Sequence, residues 1–291
     1  KQAFEDAVVR NFVEEYLQGR TPNPCIHCND RIKFGFLLRK AEELGARALA
    51  TGHYARILWG PSLDPGREGR FLLFRGADRN KDQSYFLFPL TQEQMGKVLF
   101  PLGDKSKEEV RLAAARLGLR VARKRESQEV CFIPDNDYRR FLENREGTKI
   151  SRPGEIVNRQ GQVLGSHSGI YSYTIGQRRG LGIAAGEPLY VLALDRRENR
   201  VIAGKRDDLL ADGLLARGIN WISFPRLEGK MEARVQIRHR HPGVLSTLSP
   251  LEGNRVEVRF RVPQRSVTPG QAAVFYREDE ILGGGWIERR L

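Results

Sequence analysis

The stretch Thr21-Pro22-Asn23-Pro24-Cys25-Ile26-His27-Cys28-Asn29-Asp30 places two thiols on a turn just before a helical pattern. Its two prolines have a fixed φ and no N–H, so they hold the approach to this pattern extended. Apolar residues then recur at helical spacing, at Ile32, Phe36, Leu37, Ala41 and Leu44. The stretch therefore predicts a rigid turn that leads into an amphipathic helix ending at Gly45.

The thiol at Cys28 is expected to be reactive. With Asn29 or Asp30 as the N-cap, Cys28 would lie at the positive end of the helix. Arg31 and Lys33 add positive charge nearby, and both effects favour thiolate over thiol. A Cys-x-x-Cys pair is also typical of half a zinc site or a redox pair, and it can be an accident of sequence. Zinc would need two more ligands, and the chain has no second Cys-x-x-Cys motif.

Size and charge narrow the class of protein. The chain has 291 residues, of which 40% are hydrophobic, enough for two or three domains with their own cores. Its net charge of +13 favours a polyanionic partner such as nucleic acid, although basic proteins also arise for reasons of solubility. Three cysteines argue against a disulfide framework, and no apolar run reaches the roughly 18 residues of a membrane span. We expect a soluble cytoplasmic protein.

The N-terminal half reads as helices around a short strand. Phe4, Val8, Phe12 and Tyr16 form one face of a first helix, and residues 46–51 predict a buried strand that stops at Gly52-His53. Ligands collect at the carboxyl ends of such strands, so this point is a candidate binding edge. A hairpin is predicted over 54–75 and another strand over 119–122. Two capping boxes mark further helix starts, Thr91 with Gln94 and Ser106 with Glu109.

The C-terminal half reads as β-structure. A hairpin is predicted from strands 189–195 and 200–205. Six evenly spaced strands then predict a small antiparallel barrel, at 214–221, 231–238, 244–248, 255–261, 272–276 and 281–288. The barrel is rich in arginine, which suits RNA phosphates, whereas ordinary charged faces would look similar in a structural domain. The third thiol, Cys131, stands among Val130, Phe132 and Ile133, where it could also be an inert buried residue.

Six motifs together resemble the bacterial tRNA-specific 2-thiouridylase family. In chain order they are Thr21-Pro22-Asn23-Pro24-Cys25-x-x-Cys28-Asn29 with Lys33-Phe34, Ala50-Thr51-Gly52-His53-Tyr54, Asn80-Lys81-Asp82-Gln83-Ser84-Tyr85-Phe86, Cys131-Phe132-Ile133, Thr174-Ile175-Gly176-Gln177-Arg178-x-Gly180-Leu181-Gly182 and Val267-Thr268-Pro269-Gly270-Gln271. They occur in the order that the family has and span the whole chain.

The resemblance implies an α/β plus β fold. It divides the chain into an α/β domain of the ATP pyrophosphatase (PP-loop) type over 1–148, a small central domain over 149–210 and a C-terminal antiparallel β-barrel over 211–291 that binds tRNA. The family's phosphate loop, Ser-Gly-Gly-x-Asp-Ser, precedes the region where this chain begins. The chain is therefore expected to be an N-terminally truncated member that is inactive alone.

The resemblance also implies a reaction and its residues. The family replaces the C2 oxygen of the wobble uridine by sulfur in the tRNAs for glutamate, glutamine and lysine, using ATP, Mg and a sulfur-relay donor protein. By resemblance, Cys28 is the nucleophile and Cys131 the persulfide carrier, and Gly52 contacts ATP. Asn23, Pro24 and Cys25 match residues around the target base. The residues that match tRNA contacts are His53, Lys81, Asp82, Gln83, Arg238, His239 and Gln271.

Cys25 departs from the many family members that carry Asp at the matching position. With a thiol there, Cys25, Cys28 and Cys131 could instead hold an iron–sulfur cluster that binds exchangeable sulfide. Persulfide relay is our first mechanism, and the cluster is the alternative. A third interpretation outside enzymology is a metal-stabilised RNA-binding module without catalytic activity.

Overall fold

The computed structural model of the chain describes residues 1–60, 69–123, 130–147 and 150–291. Within these ranges α1 covers 2–17 and α2 covers 24–43, and each contains a π-helical segment, Glu5–Val9 and Cys28–Leu37 respectively. The shorter helices are α3 (Gln92–Met95), α4 (Lys107–Arg116) and α5 (Tyr138–Glu146). The residues on both sides of the expected domain boundary at 148 and 149 lie outside the described ranges.

The strands of the first half are β1 (Leu49–Ala50), β2 (Ala55–Gly60), β3 (Arg70–Arg75) and β4 (Val98–Leu99). The central strands are β5 (Gly154–Val157), β6 (Val163–His167), β7 (Tyr190–Asp195) and β8 (Arg200–Gly204). The C-terminal strands are β9 (Leu210–Trp221), β10 (Met231–Gln236), β11 (Val244–Leu251), β12 (Arg255–Arg265), β13 (Ala272–Arg277) and β14 (Glu280–Arg290).

The predicted face of α1 is buried. Val8, Phe12 and Tyr16 are at most 8% exposed, and Phe12 and Tyr16 pack with Leu142 of α5 and with Tyr171. The two capping boxes are also confirmed, since in each the N-cap side chain and the third helical residue bond each other's backbone. The buried face of α1 follows from the helical spacing of its apolar residues, and the two helix starts follow from their capping residues.

The start of α2 was predicted wrongly. The helix begins at Pro24 with Asn23 as its N-cap residue, because proline at the first helical position is already in helical geometry. Cys28 therefore lies a full turn inside the helix. The apolar stripe is also shifted: Phe34 and Leu38 are buried, whereas Phe36 and Leu37 are 44% and 45% exposed. The π-helical segment has more residues in each turn, so a 3.6-residue period does not identify its buried face.

Two expected strands are reduced or absent. The strand over 46–51 is only Leu49–Ala50, paired in parallel with β4. Residues 119–122 form no strand, because α4 ends in a local turn in which the N–H of Leu119 bonds the carbonyl of Ala114 and Arg120–Arg123 is a 3₁₀ turn. The backbone groups of this segment are thus satisfied locally.

The central sheet has the order β6-β5-β8-β7, and β7 and β8 form the predicted hairpin. β9 to β14 close a barrel in the order β13-β10-β11-β12-β9-β14, with β14 pairing back to β13. The six-stranded antiparallel barrel is confirmed.

The barrel continues into the N-terminal half through one hairpin. β2 and β3 pair antiparallel, as predicted, and β3 adds to the barrel strand β14 through the partners Phe74 and Glu280. A second core fills the layer between α2 and the outer face of β13 and is made by Ile26, Phe34, Tyr85, Val274 and Tyr276 among others. The turn with the two thiols is therefore packed directly against the barrel.

Candidate active site at the thiol turn

Residues 21–28, which we call the thiol turn, are held by the barrel loop that precedes β13. The N–H of Thr21 donates to the carbonyl of Pro269 at 3.0 Å. Nε2 of Gln271 donates to the carbonyls of Thr21 and Pro22, both at 3.0 Å. Gly270 has φ +89°, and a Cβ there would stand 2.8 Å from the carbonyl oxygen of Thr21, so only glycine allows this approach. The loop thus sets the path of the turn.

The residues between the two cysteines anchor the turn to the protein. Ile26 is fully buried, and the ring of His27 stacks on that of Trp286 with centroids 4.6 Å apart and planes at 6°. Burial, helped by the charge of Arg31, lowers the pKa of His27 to about 4, so this ring is neutral at pH 7. Cys25 is exposed and Cys28 is half-buried. The anchors point inward and the thiols remain accessible.

The thiols at 25 and 28 are less acidic than the sequence suggested. Desolvation raises the pKa of Cys28 above its ordinary value, and the positive charge of Lys33 opposes this only in part. Desolvation is also the main cause of the raised pKa of Cys25. The expectation of a favoured thiolate at Cys28 is therefore wrong, because Cys28 lies inside the helix and against protein.

Cys131 lies near both thiols. A negative charge on its sulfur raises the pKa of Cys25 and of Cys28, so the three sulfur atoms are within Coulombic range of one another. Cys131 itself is exposed, which excludes the interpretation of an inert buried residue. Its neighbour Phe132 fixes it by packing edge-on against Phe4 and Phe12 of α1.

His53 is the centre of a buried polar cluster next to the thiols. Its Nδ1 is 2.8 Å from Oγ1 of Thr51, and its Nε2 is 3.2 Å from Oδ1 of Asn29 and 3.3 Å from Nζ of Lys33. Burial and the charge of Lys33 lower the pKa of His53 to about 3. Asn29 in turn donates to the carbonyl of Phe86 at 3.3 Å. The cluster connects α2, the end of β1 and the segment after Gln83.

Asp82 and Gln83 bind groups of the protein itself. The carboxylate of Asp82 accepts from Nη1 of Arg75 at 2.8 Å, from the N–H groups of Gly76 and Ser84 and from the hydroxyl of Ser84. Oε1 of Gln83 accepts from the N–H of Tyr54 at 3.1 Å. Both side chains therefore hold this region together through hydrogen bonds to the protein itself. Lys81, which lies beside them, is half-buried.

The loop after β10 reaches the same place from the barrel. His239 packs on Phe86 with ring centroids 4.4 Å apart, and its Nε2 lies 3.3 Å from the carbonyl of Asp82. Gln236 donates to the carbonyls of Arg238 and His239 and accepts from Nη2 of Arg75 at 3.0 Å. The side chain of Arg238 is exposed.

The residues expected around the target base differ in exposure. Asn23 and Pro24 are buried, and Asn23 lies beside Tyr85, whose hydroxyl donates to the carbonyl of Ala272. Of the three, Cys25 alone is exposed. Gly52 is exposed beyond the carboxyl end of β1, where the nearest atom to an added Cβ would be Cδ1 of Leu102 at 3.5 Å.

Three residues of the site carried no signal in the sequence. Arg75, Gln236 and Trp286 hold the site together, yet each occurs in or beside an ordinary strand pattern. Arg75 also lies 3.7 Å from the ring centroid of Tyr276. An inward polar residue on a strand indicates a buried partner, but only the tertiary structure shows which one.

The cluster alternative finds no support in this geometry. Over the described ranges, no three His, Cys, Asp or Glu side chains are arranged so that they could hold a metal ion. In the same part of the chain, no helix has both the length and the apolar character that crossing a membrane requires.

Comparison with known proteins assigns the chain to a family. Residues 1–135 match the family described as tRNA methyl transferase HUP domain, residues 139–205 the tRNA methyl transferase PRC-barrel domain, and residues 211–287 the aminomethyltransferase beta-barrel domain. The tRNA-specific 2-thiouridylase MnmA of Geobacter metallireducens is 57% identical over 288 residues, which are 99% of this chain and 76% of that protein. The proteins of the same name from Geotalea uraniireducens and Heliobacterium modesticaldum are 55% and 51% identical over 99% of this chain and 75% and 74% of their own lengths. The chain belongs to the tRNA-specific 2-thiouridylase family.

Proposed function

We propose that this protein replaces the C2 oxygen of the wobble uridine by sulfur in the tRNAs for glutamate, glutamine and lysine. The observation that carries the proposal is the convergence of Cys25, Cys28 and Cys131 beside an arginine-rich barrel, in a chain whose relatives are named tRNA-specific 2-thiouridylases. The reaction belongs in the cytoplasm, where tRNA is available and thiols stay reduced.

The uracil carbonyl must be activated first, because the ring nitrogens donate electrons into it. Adenylation by ATP, with Mg²⁺, would make the C2 oxygen part of a good leaving group. Gly52 fits a nucleotide contact, since it is exposed at the carboxyl end of a parallel strand and carries no side chain. We assign no residue to Mg²⁺ and no step to an iron–sulfur cluster.

The cysteines then divide the sulfur chemistry. Cys131 accepts a sulfane sulfur from a relay donor protein, and its persulfide sulfur attacks C2 as the activated oxygen leaves. The thiolate of Cys28 attacks Sγ of Cys131, which breaks the bond to the outer sulfur and leaves that sulfur on the base. The products are 2-thiouridine and a disulfide between Cys28 and Cys131. Lys33 assists by stabilising thiolates in the site.

Recognition of tRNA combines charge with extrusion of the base. The net charge of +13 attracts the phosphates. We assign the exposed Arg238 and His239 and the half-buried Lys81 to contacts with the anticodon, whereas the buried His53 contributes by holding Asn29 and Lys33 of α2. The target uridine leaves the stack to reach Asn23, Pro24 and Cys25. Asp82, Gln83 and Gln271 contribute by holding the segments that face the RNA.

The proposed domains keep the expected boundaries. The catalytic domain is 1–148, the central domain is 149–210 and the tRNA-binding domain is 211–291.

The cysteine assignments are tested in cells. Cys28→Ala and Cys131→Ala, introduced at the native locus, are each expected to abolish 2-thiouridine in total tRNA, measured by nucleoside mass spectrometry. Because neither change removes a positive charge, the affinity of each purified variant for tRNA should stay within about twofold of wild type.

Normal 2-thiouridine in either variant would remove that cysteine from the mechanism. Tight tRNA binding together with 2-thiouridine levels that depend on neither cysteine would instead favour an RNA-binding module without catalysis.

A further inference from the structure

The two cysteines of the thiol turn share one accessible side. Ile26 is buried, and His27 is held on Trp286, so the two intervening side chains face the protein. Cys25 is exposed and Cys28 is half-buried. Neither thiol is therefore needed as a packing group, and both remain available for exchange chemistry.

The backbone brings these two thiols close together. The N–H of Cys28 bonds the carbonyls of both Cys25 and Pro24, so the turn from 25 to 28 has an i to i+3 hydrogen bond. In such turns the side chains at i and i+3 eclipse each other, and on a helix their Cβ atoms are about 5–6 Å apart. A disulfide requires Cβ atoms about 3.5–4.5 Å apart, so its formation would draw the two Cβ atoms roughly 1–2 Å closer than this spacing.

We propose that Cys25 is a resolving thiol that opens the disulfide formed between Cys28 and Cys131. This role rests on the proposed function. The thiolate of Cys25 attacks Sγ of Cys28, the bond from Cys28 to Cys131 breaks, and its electron pair leaves on Cys131. A disulfide between Cys25 and Cys28 replaces the first one, and no net oxidation or reduction occurs.

The exchange has a direct consequence for turnover. Cys131 is released as a thiolate and can accept the next sulfur while the oxidised pair waits for a dithiol reductant. The reductant could reach the disulfide between Cys25 and Cys28 from solvent, because Cys25 is exposed. Lys33 lies close enough to stabilise a thiolate at Cys25 or at Cys28, since its charge lowers the pKa of both cysteines against the effect of desolvation.

The proposal is tested by mapping disulfides in the chain at equilibrium with a glutathione redox buffer. After an acid quench and alkylation with N-ethylmaleimide, trypsin places Cys25 and Cys28 together in peptide 21–31 and Cys131 in peptide 126–139. In the wild type we expect peptide 21–31 with an internal disulfide, two hydrogens lighter, in about tenfold excess over the cross-link between the two peptides, with Cys131 alkylated.

The Cys25→Ser variant should reverse this result, with the cross-link between Cys28 and Cys131 as the main oxidised species. The Cys28→Ser variant is the matched control and should form no internal disulfide in peptide 21–31. A wild type dominated by the cross-link, or one in which peptide 21–31 never loses its two hydrogens, would overturn the proposal. An internal disulfide in a protein whose Cys28 is dispensable for 2-thiouridine in cells would refute the proposed function alone.

Discussion

At the scale of single residues, the site depends on buried polar groups that find all their partners inside the protein. Asp82 illustrates this, since its carboxylate binds Arg75, two backbone N–H groups and the hydroxyl of Ser84. His53 is equally enclosed by Thr51, Asn29 and Lys33. Such groups are costly to bury unless they are paired, so each of them reports on the integrity of the site.

The substitution Asp82→Asn is expected to lower the free energy of unfolding by about 3 kcal/mol, because it leaves the buried guanidinium of Arg75 without its counter-charge. The side chains of this pair are only 14% and 7% exposed. Chemical denaturation measures the change. The matched substitution Asp207→Asn breaks the exposed pair with Arg265 and should cost at most about 1 kcal/mol. Equal losses of unfolding free energy in the two variants would show that the buried pair of Asp82 and Arg75 stabilises the protein no more than an exposed pair does.

The pH dependence of the free energy of unfolding should reveal the lowered pKa of His53. Its folded pKa of about 3 lies below the unfolded value of 6.5, so between these values the unfolded chain binds a proton that the folded protein does not. This contribution to stability is complete above pH 6.5 and is lost as the pH falls, by about 1.4 kcal/mol per pH unit. Urea denaturation at pH 7.5 and pH 5 measures the loss, and His53→Gln should reduce it. An unchanged pH dependence in the variant would mean that His53 titrates normally.

At the scale of elements, the path of the thiol turn is set by two features far apart in the chain. Proline at the first helical position starts α2 at Pro24, and the barrel loop before β13 holds the preceding backbone through Gln271 and Pro269. The position of the cysteines is therefore a joint property of a local turn and a distant loop.

Substitutions at two glycines distinguish the cost of a left-handed backbone from the cost of the close contact between Gly270 and the carbonyl oxygen of Thr21. Gly253, in the turn between β11 and β12, has φ +71°, and an added Cβ would meet only Nε of Arg255 at 3.7 Å, an ordinary contact. Gly253→Ala should therefore cost about 1 kcal/mol for the left-handed conformation alone. Gly270→Ala adds a contact with the carbonyl oxygen of Thr21 and should cost roughly 3 kcal/mol. It should also speed the alkylation of Cys25 by iodoacetamide, measured by mass spectrometry, while Gly253→Ala leaves that rate unchanged. Equal alkylation rates in the two variants would argue against a held turn.

At the scale of the whole molecule, the barrel is the scaffold against which the thiol turn and α2 are packed. β3 extends the barrel sheet at β14, and the core between α2 and β13 joins the two halves. The loop after β10 adds the exposed cations Arg238 and Arg240 beside His239. One surface thus combines positive charge from the barrel with thiols from the first half of the chain.

Binding to tRNA should fall steeply with salt, because each phosphate that is neutralised releases bound counterions. Fluorescence titrations with tRNA at several salt concentrations give the slope of log Kd against log salt. Arg238→Ala should weaken binding and reduce that slope by about 1, whereas Arg226→Ala, which removes a cation paired with Glu228 away from the site, should change it little. An affinity that does not respond to salt would contradict phosphate contacts.

The sequence by itself determined the elements that depend on neighbouring residues. The buried face of α1, both capping boxes, the β2 and β3 hairpin and the alternation of the six barrel strands all follow from short-range periodicity and turn chemistry. The motifs were also sufficient to indicate the family, which the relatives confirm.

Only the tertiary structure decided what surrounds the thiols. The π-helical segment moved the buried face of α2, and desolvation raised the pKa of Cys28 where the sequence suggested the opposite. Two residues of the barrel bind residues of the thiol turn that are distant in sequence. Gln271 donates a hydrogen bond to the carbonyl of Thr21, and Trp286 stacks on His27. Desolvation and long-range pairing depend on the whole arrangement of atoms in space, and a local pattern of residues contains neither.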